Sequence, residues 1–532
     1  YVELEYKTTY PAGGNHMGKG TSPEIFGAIH LGSEQAGIQI VQYKTLADVK
    51  VIDKAFREVT LGEEIFKTGK ISFGTLNEIC DLLKGYRRML CEYGVRDYRL
   101  FATTAVREAS NQRYIVDQIR VKTGFDVEVV DMPREIFYKY FALFKTLQEQ
   151  QLIGQKDAVL FVDISSGGLG FTLYKGGCIH YQQNIHIGAL RIKESFDKNQ
   201  RESVQFPQAL AEYIYSTIEP VKTELRRHKI KYLVLAGNET KLVLKILGRS
   251  GNDKLTVIDP QEFTACAEQH RFFNIAHLMN AYDFNEHRAE IVLPTIILYQ
   301  QILSVTEAGK IIVPNTTFTD GVTLHHVAEQ THDSFVDVVE EQILSLAYTL
   351  GKKYSFDADH AIMVSNVALK IFDSMVKAHG LGKRERFLLK IAGILHDIGK
   401  FVSLRRHYFY SYRLLVSSDI FGFSDEEKHI MANVAYYHSK GTPSDAEDNF
   451  RFLPEKHKTI VSKLVAMMRL ADAIDRSYRQ KITDCVVSLK GDELIISYNS
   501  LEDTSLEEWT FADKADFFEE VFGFRALLKR QG

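Results

Sequence analysis

A short pattern that occurs twice constrains this chain more than any other feature. Ile25-Phe-Gly-Ala-Ile-His-Leu-Gly-Ser33, followed by Gly37-Ile-Gln-Ile-Val-Gln-Tyr43, reads as a strand, a tight glycine turn and a returning strand. Ala158-Val-Leu-Phe-Val-Asp163, Ile164-Ser-Ser-Gly-Gly168 and Leu169-Gly-Phe-Thr-Leu-Tyr174 repeat that order, with Asp163 where the first copy has His30. A duplicated unit implies two related lobes with a cleft between them. Small residues at such turns let backbone N–H groups approach an anion closely, and two facing turns can hold a phosphate chain from both sides. Taken singly each turn is only a hairpin; the duplication gives the anion-binding reading its weight.

Within the first copy, an amphipathic helix is expected from Thr75 to Tyr93 and a strand from Tyr98 to Ala102, leading into the polar turn Thr103 to Asn111. Arg107 lies at this strand-to-helix junction, placed to meet a phosphate or simply to pair with Glu108. Glu135 follows an extended segment and opens a helix expected over Ile136 to Gln148, where alone it reads as an acid favouring a helix N-terminus.

From Phe335 onward the pattern changes to successive helices, which sets a boundary between Leu324 and Asp337. His360 shares a helix face with Val364, Val367 and Ile371, and His396 follows Leu388, Ala392 and Leu395 on another. Asp472 aligns with Leu464 and Met468 on a third. Three helices can therefore aim His360, the His396-Asp397 doublet and Asp472 at one point, and such nitrogen and oxygen ligands suit a divalent ion that activates water. A lone buried histidine is more often a hydrogen-bonded core residue, and Asp475 has simpler roles in pairing with Arg476 or capping a turn; the combination is what points to a metal. The tail reads as a hairpin from Val486 to Tyr498, turning at Gly491-Asp492, and then an amphipathic helix from Ala512 to Leu528, with nothing that suggests chemistry.

At 532 residues the chain is too long for a single core. A net charge of -4 gives no reason to expect a polyanion such as nucleic acid held by bulk charge, and the basic run Lys222 to Lys231 reads as a solvated helix face. Five cysteines, odd in number and widely spaced, read as reduced thiols of a cytoplasmic protein. The apolar stretch Ile291 to Val305 is interrupted by Pro294, Gln300 and Gln301 and is expected to be a buried element rather than a membrane span. Residues 1–23 read as an extension of unknown origin.

The segments Leu61-Gly-Glu63, Thr68-Gly-Lys-Ile-Ser72, Ala102-Thr-Thr-Ala-Val-Arg-Glu-Ala-Ser-Asn111 and Ile187-Gly-Ala-Leu-Arg191, in this order, resemble the exopolyphosphatase and guanosine pentaphosphate phosphohydrolase family (Ppx/GppA). The resemblance implies α/β duplicated actin-like ATPase (ribonuclease H-like) lobes. It implies Glu135 as general base for the attacking water, Asp163 as organiser of a metal ion, and Arg107, Gly188 and Arg191 as phosphate contacts. Backbone donors of Gly32, Ser33, Ser165, Ser166, Gly167 and Gly168 would complete the phosphate cradle. The chain departs from the family at His30, where an Asp is usual, at Glu34-Gln35, at Arg134, and at Gly237-Asn-Glu239, where a glycine loop is expected. Leu169 and Gly170 stand where the family has Thr and its second catalytic Glu.

The rear constellation resembles the HD metal-dependent phosphohydrolases, a helical domain appended to longer members of the same family, and Gly422 to His429 and Tyr436-Tyr-His438 fit that appended domain. His407 and His438 are candidates for a second metal ion, although Tyr408 and Tyr410 stand where the domain tends to have histidines. The expected division is a first lobe over 24–152, a second over 153–330, an all-α HD-type domain over 331–482 and a small α/β C-terminal cap over 483–532. The leading expectation is a phosphoanhydride hydrolase acting on polyphosphate or guanosine pentaphosphate or tetraphosphate, as a homodimer away from membranes. Its divalent metal would be magnesium, with manganese or another transition metal as the option at the HD-type site. Two alternatives stay open: chemistry at the rear metal site with the front as a sensor, or a binding regulator without turnover.

Overall fold

A sheet with strands buried in the core anchors each of the two front lobes. A computed structural model describes residues 23–154, 156–249, 251 and 253–531, so the extension expected over 1–23 lies, apart from Pro23, outside the described residues. The first sheet consists of β1 (Glu24–Leu31), β2 (Gln35–Tyr43), β3 (Lys50–Glu58), β4 (Asp97–Ala102) and β5 (Val127–Val129) in the order β3-β2-β1-β4-β5. β1 pairs antiparallel with β2 and parallel with β4, so the turn after Leu31 and the turn after Ala102 open at the same edge. The second sheet contains β6 (Ala158–Ile164), β7 (Leu169–Lys175), β8 (Cys178–Ile185), β9 (Ile230–Ala236), β10 (Leu255–Ile258) and β11 (Lys310–Pro314) in the order β10-β11-β9-β6-β7-β8. It repeats the first topology and adds β10 antiparallel at one edge. Every residue of β6 is buried, which accounts for its unbroken apolar run ahead of Asp163.

The helices set the depth of the functional side chains. The helix Met132–Glu149 begins earlier than the periodicity predicts, because the Asp131 side chain caps it by accepting from Arg134 N and Pro133 fits its opening turn. Glu135 therefore lies within the first turn, on the buried face, rather than ahead of the helix. The apolar stretch around Pro294 belongs to the helix Glu286–Thr306, which is long and apolar enough to cross a membrane; 67% of its apolar window is buried against the second lobe.

Six longer helices form the rear region: Phe335–Lys353, Ala358–Ser374, Lys383–Leu395, His407–Ser417, Asp425–Tyr437 and Glu455–Ala473. They rest on the lobes. Ile179 N donates to Ser345 Oγ at 3.0 Å, Tyr140 Oη donates to Gln342 Oε1 at 2.8 Å, and Asp425 N donates to Asp131 Oδ2 at 2.7 Å. One apolar cluster runs continuously from Phe26 and Phe141 to Met468, so the two halves share a core.

In the tail, β12 (Cys485–Lys490) and β13 (Glu493–Tyr498) form the expected hairpin. The helix that follows, Ser505–Phe522, is shorter at its C-terminus than the expected Ala512 to Leu528. Gly523 ends it in the left-handed conformation at φ 70°, and Arg525–Arg530 becomes β14, parallel to β13.

Candidate active site and metal centre

Spacing of i and i+4 on the helix Met132–Glu149 puts Glu135 and Lys139 side by side, and both face the end of β6. Lys139 Nζ lies 3.1 Å from Glu135 Oε1 and 2.9 Å from Asp163 Oδ2, bridging the two acids across the lobe boundary. Arg107 Nη1 reaches the other oxygen of Glu135 at 3.1 Å and the Val130 carbonyl at 2.6 Å, while its Nη2 donates to Thr104 Oγ1 at 3.0 Å. Burial opposes the charge on Glu135, yet Lys139 and Arg107 together hold its carboxyl down to about 2. For Asp163 burial outweighs the same lysine and the carboxyl is pushed up.

Above these groups is a cleft of about 310 Å3, lined by His30, Ser33, Glu34, Thr104, Ser165 and Glu239 among others. His30 Nε2 lies 3.0 Å from Thr103 Oγ1, and burial lowers its pKa to about 4, so the ring is neutral. Glu34 links the walls: its Oε1 is 2.9 Å from His287 Nε2 and its Oε2 accepts from Ser166 Oγ at 3.3 Å. Glu239 is buried, and burial together with the nearby Glu34 raises its carboxyl to about 8.

The expected phosphate cradle is only partly free. Gly32 N donates to Gln35 O at 2.9 Å, Ser165 N to Gly168 O at 2.9 Å, and Gly168 N to Ser165 Oγ at 3.1 Å. Those three amides stabilise their own turns. Among the described residues, the amides of Ser33, Ser166 and Gly167 have no protein acceptor and are the donors left for an anion. Gly188 is required by close approach, because a Cβ there would meet Ser165 O at 2.1 Å. Arg191 supports the same turn, donating from Nε to Gly167 O at 3.0 Å and pairing with Glu108. Asp163, Arg107, Gly167, Gly168, Gly188 and Arg191 thus stand behind the cleft wall, whereas Glu135, Gly32, Ser33, Ser165 and Ser166 line it.

The rear residues converge as the helical pattern predicts. His360 Nε2 and His396 Nε2 are 3.3 Å apart; Asp472 Oδ1 lies 3.5 and 3.8 Å from them, and Asp397 Oδ2 lies 3.8 and 3.5 Å from them. Each ring is oriented from behind. His360 Nδ1 is 2.9 Å from Asp475 Oδ2, which gives Asp475 an orienting role in place of a partner in Arg476, and His396 Nδ1 is 2.7 Å from Gly393 O. Burial lowers His396 to about 3, which keeps it a neutral imidazole. Among the described residues, the groups of three ligating side chains with ligand atoms within 4.8 Å of one another are His360, His396 and Asp472, and His396, Asp397 and His438. The second group adjoins His407: His407 Nε2 and His438 Nε2 are each 3.5 Å from Asp397 Oδ1, a buried carboxylate oxygen with no hydrogen-bond partner. Residues of this chemistry fit a divalent cation between them.

Two family models match this chain: "Ppx/GppA phosphatase family" over residues 39–330, and "Ppx/GppA phosphatase, domain III" over residues 345–515. The chain belongs to the Ppx/GppA phosphatase family. A guanosine-5'-triphosphate,3'-diphosphate pyrophosphatase of Vibrio vulnificus is 20% identical over 90% of this chain and 93% of its own length. An exopolyphosphatase structure from Cytophaga hutchinsonii aligns with a TM-score of 0.51 at 19% identity, over 57% of this chain and 98% of that one. The Aquifex aeolicus Ppx/GppA structure aligns at 0.50 and 20% identity, over 59% of this chain and all of that one. These likenesses establish the actin-like fold of the lobes.

At Gly170, where the family resemblance would place a second carboxylate, the space is filled. A Cβ at Gly170 would meet Ile136 Cδ1 at 2.5 Å, so an apolar side chain packs where an acid would point. Sequence reading passed over Lys139, whose signal was its spacing of four from Glu135. It also passed over the cap: Lys514, on the helix Ser505–Phe522, donates to Asp472 Oδ2 at 2.5 Å and to the His438 carbonyl at 3.2 Å. The sequence of the tail suggests no chemistry, yet Lys514 brings it against the cluster of candidate metal ligands. Tyr478 is a third such residue. Its hydroxyl donates to Asp397 Oδ2 at 2.7 Å, its ring stacks on His360 at 3.8 Å, and its backbone sits at φ 57°, an uncommon conformation for a bulky residue.

Proposed function

We propose that the front cleft hydrolyses the terminal phosphoanhydride of a polyphosphate or of a guanosine pentaphosphate-like nucleotide. The observation that carries this reading is the ionised Glu135, lining a cleft that also offers the free amides of Ser33 and Ser166, with the free amide of Gly167 just behind its wall. Phosphoryl transfer to water needs an oriented water and donors for the equatorial oxygens more than it needs a strong base. Glu135 supplies an acceptor that orients the water, and the amides hold the phosphoryl oxygens. Arg107 and Lys139 fix the Glu135 carboxylate from both sides. Replacing Glu135 with Gln is expected to lower phosphate release from polyphosphate, guanosine pentaphosphate or both by about 100-fold or more. Undiminished release would refute the assignment.

A second reading places hydrolysis at the rear, and the geometry around Asp397 favours it: an HD-type centre in which His360, His396, Asp397 and Asp472 hold one divalent ion and His407 and His438 help hold another. A bound ion there would supply Lewis acidity and an activated water. The chain's own contribution is orientation, through Asp475 behind His360 and Lys514 behind Asp472. Release that survives E135Q but fails in H396A would favour this reading. The five free cysteines support a reducing, cytoplasmic setting.

A further inference from the structure

The front cleft has a built-in cation. Among the described residues, the Lys139 ammonium is the group that touches both Glu135 and Asp163, at 3.1 and 2.9 Å, and its side chain is only 13% exposed. A divalent ion organised by these two acids would need the oxygen atoms that Lys139 already occupies. Arg107 holds the remaining oxygen of Glu135, so each oxygen of that carboxylate already faces a cation and keeps a lone pair for a water rather than for a second cation. Asp163 Oδ1 and Glu239 Oε2 are left without a partner, but burial and Glu34 push the Glu239 carboxyl up and disfavour its charge, and two such oxygens make a poor site for a hard cation that takes about six oxygen ligands. The usual compensation is missing as well: Ile136 packs against Gly170 where a second acid would stand, and no group of three ligating side chains forms here among the described residues. The balance of charge agrees. Arg107 and Lys139 already face Glu135 and Asp163, and Glu34 is paired with His287, so an added divalent ion would leave a buried excess of positive charge beside these pairs.

We propose that Lys139 takes the place of a divalent metal in the front cleft, so that this lobe pair binds its phosphate substrate without a metal ion of its own and the chain's divalent ions belong to the rear centre. The proposal rests on the assignment of the front cleft to phosphoanhydride, with Lys139 as a positioning residue. It holds Glu135 and Asp163 together across the lobes, and its charge lies beneath the arriving phosphate, where a metal would otherwise offset the substrate's anionic oxygens.

The test is a count of bound Mn2+ per chain by electron paramagnetic resonance on the full chain, with and without a non-hydrolysable imido analogue of tripolyphosphate. The proteins compared are wild type, D163N, K139R and K139M. Wild type, D163N and K139R are expected to bind equal numbers of ions in both conditions, because none of those ions sits at the front. K139M frees both acids and is expected to gain one ion per chain. A D163N count one below wild type, with or without the analogue, would overturn the proposal, as would a folded K139M that gains none. If near-ultraviolet circular dichroism shows K139M to be misfolded, the comparison of D163N with wild type decides alone. The ion count is independent of turnover, so a failure here is distinct from a failure of the hydrolase assignment, which appears as undiminished phosphate release in E135Q.

Discussion

Replacing Lys514 with Met tests whether the C-terminal cap completes the rear centre. Lys514 is 7% exposed at its side chain, and the Asp472 it pairs with is 2% exposed. Asp472 turns Oδ1 toward the two histidines and Oδ2 toward Lys514, so the lysine stands behind the carboxylate as its buried partner. Methionine keeps most of the volume and removes the charge and the donors to Asp472 and the His438 carbonyl. Removing one partner of a buried ion pair costs about 3–5 kcal/mol, because the other charge stays buried without compensation. For a unit of roughly 200 residues each kcal/mol is worth about 2–4 °C in melting temperature, which gives a fall of about 6–20 °C for the rear transition. A divalent ion at about 100 times its dissociation constant returns about 2.7 kcal/mol. Differential scanning calorimetry in EDTA and then in excess Mn2+ reads both quantities. A fall of less than 2 °C in EDTA would show that Lys514 does not neutralise Asp472. A full fall that Mn2+ leaves unchanged would show that the carboxylate serves packing and not metal.

Substituting His360 or His396 with Ala should remove at least one bound Mn2+ per chain, read by the same resonance count, and a full complement in both variants would refute the ligand assignment. Introducing Glu at Gly170 forces Ile136 aside and should destabilise the second lobe by about 1–3 kcal/mol, measured by urea denaturation; pairing it with I136A should recover most of that loss. His30 predicts an acid limb. Its folded pKa of about 4 lies below its unfolded value of about 6.5, so the unfolded chain binds the proton first and stability rises with pH across that window. The full shift corresponds to about 3 kcal/mol, present above pH 6.5 and lost as pH falls toward 4. H30Q should flatten the dependence of unfolding free energy on pH between these values, and an unchanged slope would refute the assignment.

The lobes and the rear ligands were legible because each rests on local periodicity. The strand repeat around His30 and Asp163 survives in the topology strand for strand, and the helical spacing of His360, His396 and Asp472 puts their ligand atoms together as the face pattern predicts. What was not legible depends on partners distant in the chain. Lys139 looks like a solvated helix residue until β6 delivers Asp163 to it, and Lys514 looks like a surface lysine until the cap folds back onto Asp472. The spent amides of Gly32, Ser165 and Gly168 were hidden for a related reason: a glycine-rich turn shows that backbone can approach an anion but not whether its donors are already used inside the turn.

The two halves handle buried acids in opposite ways, and the helix Met132–Glu149 joins those arrangements. At the front, Glu135 and Asp163 are balanced by side chains already present, Arg107 and Lys139, so the charge pattern is complete within the fold. At the rear, Lys514 and Lys400 take one oxygen each from Asp472 and Asp397, while Asp472 Oδ1 and Asp397 Oδ1 still face imidazole nitrogens 3.5 Å away. A centre that pairs only half of each carboxylate with lysine leaves the other half for a cation, whereas a centre that bridges two acids with one lysine leaves little. Immediately after Lys139, Tyr140 donates to Gln342 of the rear region, and Phe137, two residues before Lys139, packs on Phe421. A shift of this helix that moved Glu135 relative to Asp163 would have to break a buried tyrosine hydrogen bond to the rear region. The rear helices therefore clamp the element on which the front geometry depends. Y140F should loosen that clamp by removing the one hydroxyl donor while keeping the ring. Its expected effect is a loss of front-cleft phosphate release with the Mn2+ count of the rear centre unchanged. Release equal to wild type would show that Lys139 and Arg107 hold Glu135 without help from the helical half.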